Sequence, residues 1–156
     1  MSEGLITDEM RAAIGKETEP FLCEVDRTQI RLFARSVGHT DAVFYDVDAA
    51  KAAGYSDLPA PPGYLGTPVY QPAAPMRAMA EFQPSRALNR RLNGGTEIEY
   101  FDDIVAGDVL SATSHIAAFV ETSGSIGAML ITTTKTVYKN QNGKVVAIGT
   151  GTGIRY

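Results

Sequence analysis

The chain has 156 residues, enough for one domain with a sizeable core, and its 44% hydrophobic and 21% charged content is that of an ordinary globular protein. A net charge of −4 and a pI near 5.1 exclude the overall basic balance of a nucleic-acid-binding domain. No apolar run approaches the roughly 20 residues that span a bilayer, and MSEGLITDEM lacks the apolar core of a secretory signal, so a cytoplasmic chain with no membrane partner is expected. Cys23 is the single cysteine, with no partner for an internal disulfide and no Cys or His at ligand spacing. It reads as a buried spectator, and no metal site is expected.

Residues 1–19 read as a short helix and a turn, punctuated by Gly15 and Pro20. Phe21–Val25 suits a short strand. Asp26 is placed to cap a helix, with Gln29 at the capping-box position. Ile30, Phe33, Ala34 and Val37 fall at i, i+3, i+4 and i+7, one apolar helical face, and Gly38 supplies the stop. After a polar connection, Asp46 or Asp48 can cap a second helix through Ala49, Ala50, Ala52 and Ala53, ended by Gly54. Pro61 and Pro62 suit a helix's first turn, so residues 63–70, apolar and glycine-bearing, predict a buried third helix. Residues 71–91 read as an irregular loop, of a length that is usually functional or mobile.

The second half is strand-rich. Thr96–Tyr100 alternates Glu97 and Glu99 against Ile98 and Tyr100. Val109–Val120 follows the turn Ala106-Gly107-Asp108, then Ile126–Tyr138, rich in β-branched threonine, then a hairpin at Asn142-Gly143 into Lys144–Tyr156. Short connections make this meander antiparallel. Helices first and strands after give an α+β domain spanning residues 1–156. In the last strand Gly149, Gly151 and Gly153 share one face, which predicts close approach of a helix or a partner strand. A phosphate loop is a poor reading of these glycines, because no helix follows them.

Two segments carry a resemblance. FARSVGHTDAVFYDVDAAKAAGYSDLPAPPGY (33–64) resembles the entry segment of the MaoC-like hydratases and dehydratases, and GGTEIEYFDDIVAGDVLSA (94–112) resembles the strand, turn and strand that hold their Gly-Asp pair. The resemblance covers roughly residues 20–156 and is strongest to the N-terminal, non-catalytic-half type. It implies a hot-dog fold, an antiparallel sheet wrapped around a central helix. It also implies acyl-CoA or acyl-carrier thioester as ligand, with no further cofactor.

The family's active segment has the form Gly-Asp-x-Asn-Pro-x-His, in which aspartate and histidine act on one water and on the α-carbon of an enoyl thioester. Counting from Gly38, the Asp position holds His39, the Asn position Asp41, the Pro position Ala42 and the His position Phe44. Phenylalanine cannot transfer a proton, so an independent hydratase of the usual kind is not expected. Two readings of His39 and Asp41 stay open: a substitute dyad, since histidine near neutrality is a capable base, or a loop in which Asp41 caps a turn and His39 is solvated. His115, mid-strand, reads as structural.

Ala60-Pro61-Pro62-Gly63 resembles the turn into the central helix, where the N–H groups of Gly63 and Tyr64 can meet a thioester oxygen or simply position the helix. Arg86, Arg90 and Arg91 are candidates to clamp coenzyme A phosphates or are exposed loop arginines. The stretch from Arg86 through Asn93, Gly94 and Gly95 is a candidate acyl-binding loop. Tyr70, Tyr100, Met76 and Met79 line an acyl pocket or pack the core. The resemblance thus implies a hydratase/dehydratase component that binds acyl chain and works as a homodimer or as a heterodimer with a catalytic hot-dog subunit. The alternatives are a non-enzymatic acyl-CoA-binding or regulatory module, or a self-sufficient hydratase using His39 and Asp41.

Overall fold

The computed structural model describes residues 4–66 and 82–156. Helix α1 (Asp8–Ala13) is capped by Thr7, whose hydroxyl accepts from the Met10 N–H. Strand β1 (Phe21–Glu24) leads into helix α2 (Arg27–Ser36), where the Asp26 carboxylate accepts from the Gln29 N–H at 2.8 Å. Ile30 and Ala34 of α2 are fully buried, as the apolar periodicity predicts. Val37 is half exposed because the helix has ended, with Gly38 at φ +79° beyond it. Helix α3 (Val47–Ala52) takes Asp46, not Asp48, as its cap. The expected 63–70 helix is seen as a short 3-10 helix over Tyr64–Gly66, and its remainder lies outside the described residues, as do Tyr70, Met76 and Met79.

Among the described residues five antiparallel strands form one sheet: β1, β2 (Arg91–Tyr100), β3 (Val109–Gly124), β4 (Gly127–Lys139) and β5 (Val145–Arg155), in the order β1-β3-β4-β5-β2. One correction concerns β2, which begins at Arg91 instead of Thr96. Asn93-Gly94-Gly95, read as the end of a loop from Arg86, lies within this strand as a bulge: Asn93 pairs with Gly153, Gly95 with Thr152, and Gly94 is the extra residue. The Asn93 side-chain oxygen accepts from the Gly95 N–H and closes it locally.

The register sorts the side chains. Leu110, Ala112, Ser114 and Ile116 of β3 point inward and are buried. Leu110 and Ala112 pack with Ile30, Ala50, Leu58, Tyr64, Ile104 and Ala147 in the main core. Burying an aliphatic side chain such as Ile30 contributes roughly 1.5–3 kcal/mol. Leu5, Met10 and Leu130 make a second cluster at the other end of the sheet. Gly149, Gly151 and Gly153 face inward beside Thr132, Thr134 and Thr136 of β4. A Cβ added at Gly149 would meet the Tyr138 ring and one at Gly151 the Thr134 hydroxyl. No helix among the described residues is long and apolar enough to cross a membrane.

Candidate functional site

Three segments converge at the inner end of the main core: the start of α2, the 38–45 loop and the 57–66 turn. Arg27 opens α2 and makes a bidentate pair with Asp57, at 2.9 and 2.6 Å. Asp57 also accepts from the Leu58 N–H, and the Arg27 guanidinium beside it lowers its pKa to about 2. One turn on, the Gln29 side-chain oxygen accepts from the Tyr64 hydroxyl at 2.7 Å. The 57–64 segment is therefore tied to α2 at both ends. Its outer side is held by the Ala60 N–H on the Ile104 carbonyl and the Ala106 N–H on the Leu58 carbonyl.

Pro61 and Tyr64 are buried, whereas Pro62 and Gly63 are exposed. Gly63 has φ +86°, a conformation that suits glycine. Its N–H donates to the Tyr100 hydroxyl at 3.2 Å, and the Tyr64 N–H donates to the Pro61 carbonyl. Both N–H groups that the sequence offers to a thioester oxygen thus have protein acceptors in this conformation. The Tyr64 ring meets Phe33 edge-on, and burial pushes its phenol up to about 12, so it is a neutral donor. Burial likewise raises Tyr100, against the opposing effect of the Gly63 and Leu65 N–H groups.

In the 38–45 loop the Asp41 carboxylate accepts from the Val43 N–H at 3.1 Å and caps a 3-10 helix over Ala42–Phe44. The His39 imidazole lies against the Phe44 ring with centroids 5.0 Å apart, and the Tyr45 hydroxyl donates to the His39 carbonyl. No hydrogen bond joins His39 to Asp41, so in this conformation the two are neighbours in sequence without forming a proton-relay pair.

The binding candidates on β2 divide. Arg90 and Tyr156 exchange backbone hydrogen bonds, and the Arg90 guanidinium lies 6.0 Å from the Tyr156 ring centroid. Arg91 is paired with Arg155. Strand alternation sends Arg90 and Arg91 to opposite faces, so these two cannot close on one phosphate from the same side. Arg86 is exposed. Gly94 sits beneath Thr152 and Ile154, where an added Cβ would come within 2.9 Å of the Thr152 methyl. Cys23 is buried and its thiol is pushed up to about 11 by burial, which makes it a poor nucleophile. His115 sits on β3 opposite Lys135, and its backbone makes an isolated antiparallel β-bridge with that of Glu17. No group of three or more His, Cys, Asp or Glu residues among the described residues is placed to hold a metal ion.

Sequence reasoning missed the ties that shape the turn. Gln29 signalled only a helix cap, and Arg27, Asp57 and Tyr100 carried no local signal of their partners.

A family model described as FAS1-like, dehydratase domain region, matches residues 12–148. The chain belongs to this family. Relatives of this FAS1-like dehydratase-region chain include UPF0336 proteins. That of Parafrankia sp. (strain EAN1pec) is 33% identical over 129 residues, 81% of this chain and 80% of the relative. That of Leifsonia xyli is 33% identical over 135 residues, 85% of each. The fold is the MaoC-like hot-dog. The C-terminally truncated HadBC (3R-hydroxyacyl-ACP dehydratase) complex of Mycobacterium tuberculosis superposes with a TM-score of 0.74 at 23% identity, over 96% of this chain and 99% of that one. A MaoC-like dehydratase superposes with a TM-score of 0.76 at 25% identity, over 93% of this chain but 42% of that one. The ChsH1-ChsH2 complex of M. tuberculosis gives 0.72 at 17% identity, over 95% of this chain and 87% of that one.

Proposed function

We propose that this chain is the thioester-binding half of an acyl-thioester hydratase/dehydratase, completed by a hot-dog partner that supplies the acid and base. One observation carries the reading. At the positions where the resemblance places a proton-transferring pair, His39 rests on Phe44, and the nearby Asp41 carboxylate is engaged in a helix cap. Hydration of an enoyl thioester needs a base to take a proton from water as its oxygen adds to the β-carbon. It also needs an acid to protonate the α-carbon while charge develops on the thioester oxygen. This loop offers no assembled pair for either transfer.

What the chain retains is a rigid binding frame. The Pro61–Tyr64 turn is fixed from α2 by two side-chain ties, and the end of the Arg86–Gly95 stretch, Arg91–Gly95, lies in β2, the edge strand among the described residues. That edge, β2, is ten residues long with almost every residue exposed. An edge of this length with no neighbouring strand among the described residues is a ready template for another chain. Support also comes from the MaoC-like dehydratase of which this chain spans under half, and from the two-component HadBC and ChsH1-ChsH2 complexes. The partner is a second copy or a dyad-bearing subunit, and the ligand is acyl-CoA or acyl-carrier thioester. The non-enzymatic acyl-CoA-binding alternative shares the frame and differs in turnover.

The test is hydration of crotonyl-CoA and longer enoyl-CoA thioesters by the purified chain, alone and mixed with a co-purifying hot-dog subunit that carries Gly-Asp-x-Asn-Pro-x-His. The chain alone should stay at background and the mixture should turn over faster than the partner alone. Fast turnover by the chain alone would overturn the reading. Thioester binding without turnover in any mixture would favour the non-enzymatic module.

A further inference from the structure

The outer face of the sheet, turned away from the main core, carries an apolar row that the register makes continuous. On β3 the register shift between Ile116 and Ala118 and the inward Phe119 leave Val120 pointing outward. On β4 and β5 the inward Leu130 and Gly153 leave Ile131 and Ile154 outward. Val120 is paired with Ile131, Ile131 with Ile154, and Ile154 with Leu92. Four aliphatic side chains therefore stand side by side across β3, β4, β5 and β2, and Val120 and Leu92 at the two ends are 49% and 52% exposed. The adjoining row, Ala118, Thr133, Thr152 and Gly95, carries no charge either. Contiguous exposed apolar surface of this kind marks an interaction site.

Charge borders these rows in two opposite signs. One row further along, Lys135 of β4, Thr150 of β5 and Glu97 of β2 are paired in line. Lys139 on β4 and Glu99 on β2 repeat the asymmetry, so this face is basic along β4 and acidic along β2. Lys135 and Glu97 are exposed, and neither has an ion-pair partner among the described residues. They flank β5 two strand spacings apart, about 10 Å. A second copy, turned face to face about a twofold axis running along β5, matches this pattern. The rotation exchanges the two sides of β5. It lays Lys135 over the partner's Glu97, Ile131 over the partner's Leu92, and Ile154 over the partner's Ile154. Overlap of β4, β5 and β2 over five alternate positions covers about 500 Å² on each copy. The total, about 1,000 Å², is at the lower end for a specific interface.

We propose that this outer face is an interface with a second copy of the chain, in which two sheets pack face to face about a twofold axis along β5. Leu92, Ile131 and Ile154 seal it, and two Lys135–Glu97 pairs between the copies set its register. The interface uses the face of the sheet and leaves the backbone edge of β2 free, so it does not rest on the function proposed above.

Sedimentation equilibrium of the full chain over a micromolar concentration series tests it. Lys135→Glu and Glu97→Lys each change an exposed side chain and set like charges face to face twice per interface. Each should raise the dissociation constant by about tenfold or more. Lys135→Glu and Glu97→Lys combined in one chain should restore wild-type association. Lys135 lies two strands from the β2 edge, so this rescue cannot come from edge pairing. Leu92→Lys should weaken association without lowering the melting temperature of the dissociated chain. A wild-type chain that is monomeric throughout the series, masses unchanged by either single reversal, or a loss that the double reversal fails to restore would each overturn the proposal.

Discussion

The Tyr64 hydroxyl donates to the side-chain oxygen of Gln29 across a sequence separation of 35 residues, at 2.7 Å. This bond ties the end of the proline turn to the first turn of α2, in a core where Tyr64 is 3% exposed. Tyr64→Phe keeps the ring against Phe33 and removes the hydroxyl donor from the exposed Gln29 side chain. A loss of about 1–2 kcal/mol is expected in denaturant unfolding. Gln29→Ala in the Tyr64→Phe background should cost less than it does alone, and full additivity in that double-mutant cycle would show that the bond contributes nothing.

The Arg27–Asp57 pair makes the same segment sensitive to acid. The folded-state pKa of Asp57, about 2, lies below its ordinary value of 3.8. The pair therefore contributes stability that is present above about pH 4 and is lost as pH falls through 2. Asp57→Asn should lower the neutral-pH midpoint modestly, because the Arg27 side chain is half exposed, and the gap between the two proteins should close as pH falls from 4 toward 2. Denaturant midpoints at pH 6, 4 and 2.5 check this, and parallel profiles for the two proteins would count against it.

Much of the fold could be read from local chemistry. The Asp26 cap, the Ile30 and Ala34 face, the Asn142-Gly143 hairpin and the threonine-rich strand all appear where their residues place them. The start of β2 was not legible, because Asn-Gly-Gly favours turns and only pairing with β5 turns it into a bulge. Its first five residues, Arg91–Gly95, are all exposed and also lack the alternation that Thr96–Tyr100 shows. The candidate site was legible only in part. Composition located the proline turn and the 38–45 loop, but Tyr100 on Gly63 and Arg91 opposite Arg155 arise from register, which no local pattern encodes.

Gly94 and Gly153 lie on paired strands and should respond oppositely to a methyl group. A Cβ at Gly94 would meet Thr152 at 2.9 Å and Ile154 at 3.2 Å, whereas at Gly153 it meets nothing within 4 Å. Gly94→Ala should destabilise by about 1–3 kcal/mol through overpacking. Gly153→Ala should be near neutral or slightly stabilising, since a Cβ restricts the unfolded chain. Thermal melts of the two variants decide it, and equal shifts would refute the placement of the bulge.

Association is expected from the open β2 edge. Light scattering at micromolar concentration should show at least a dimer, alone or with the catalytic subunit. Thr96→Pro, placed mid-edge, should weaken association more than it lowers the monomer's own melting temperature. A stable monomer both alone and in the presence of every co-purifying hot-dog chain would contradict this expectation.

The last prediction separates binding from proton transfer. If His39 and Asp41 do no chemistry, His39→Ala should leave partner-assisted hydration within about twofold, whereas loss of a true general base typically costs roughly 10²–10⁴-fold. Gly63→Val should act differently. At φ +86° a β-branched residue is strained, and its added Cβ would already lie 3.6 Å from the Phe33 ring, so the branches beyond it would crowd that ring. The turn would shift, KM for the thioester should rise, and the pH dependence of kcat should stay that of the partner's acid and base. A fall in kcat with an altered pH profile in His39→Ala, and no effect of Gly63→Val on KM, would instead assign the proton work to this chain.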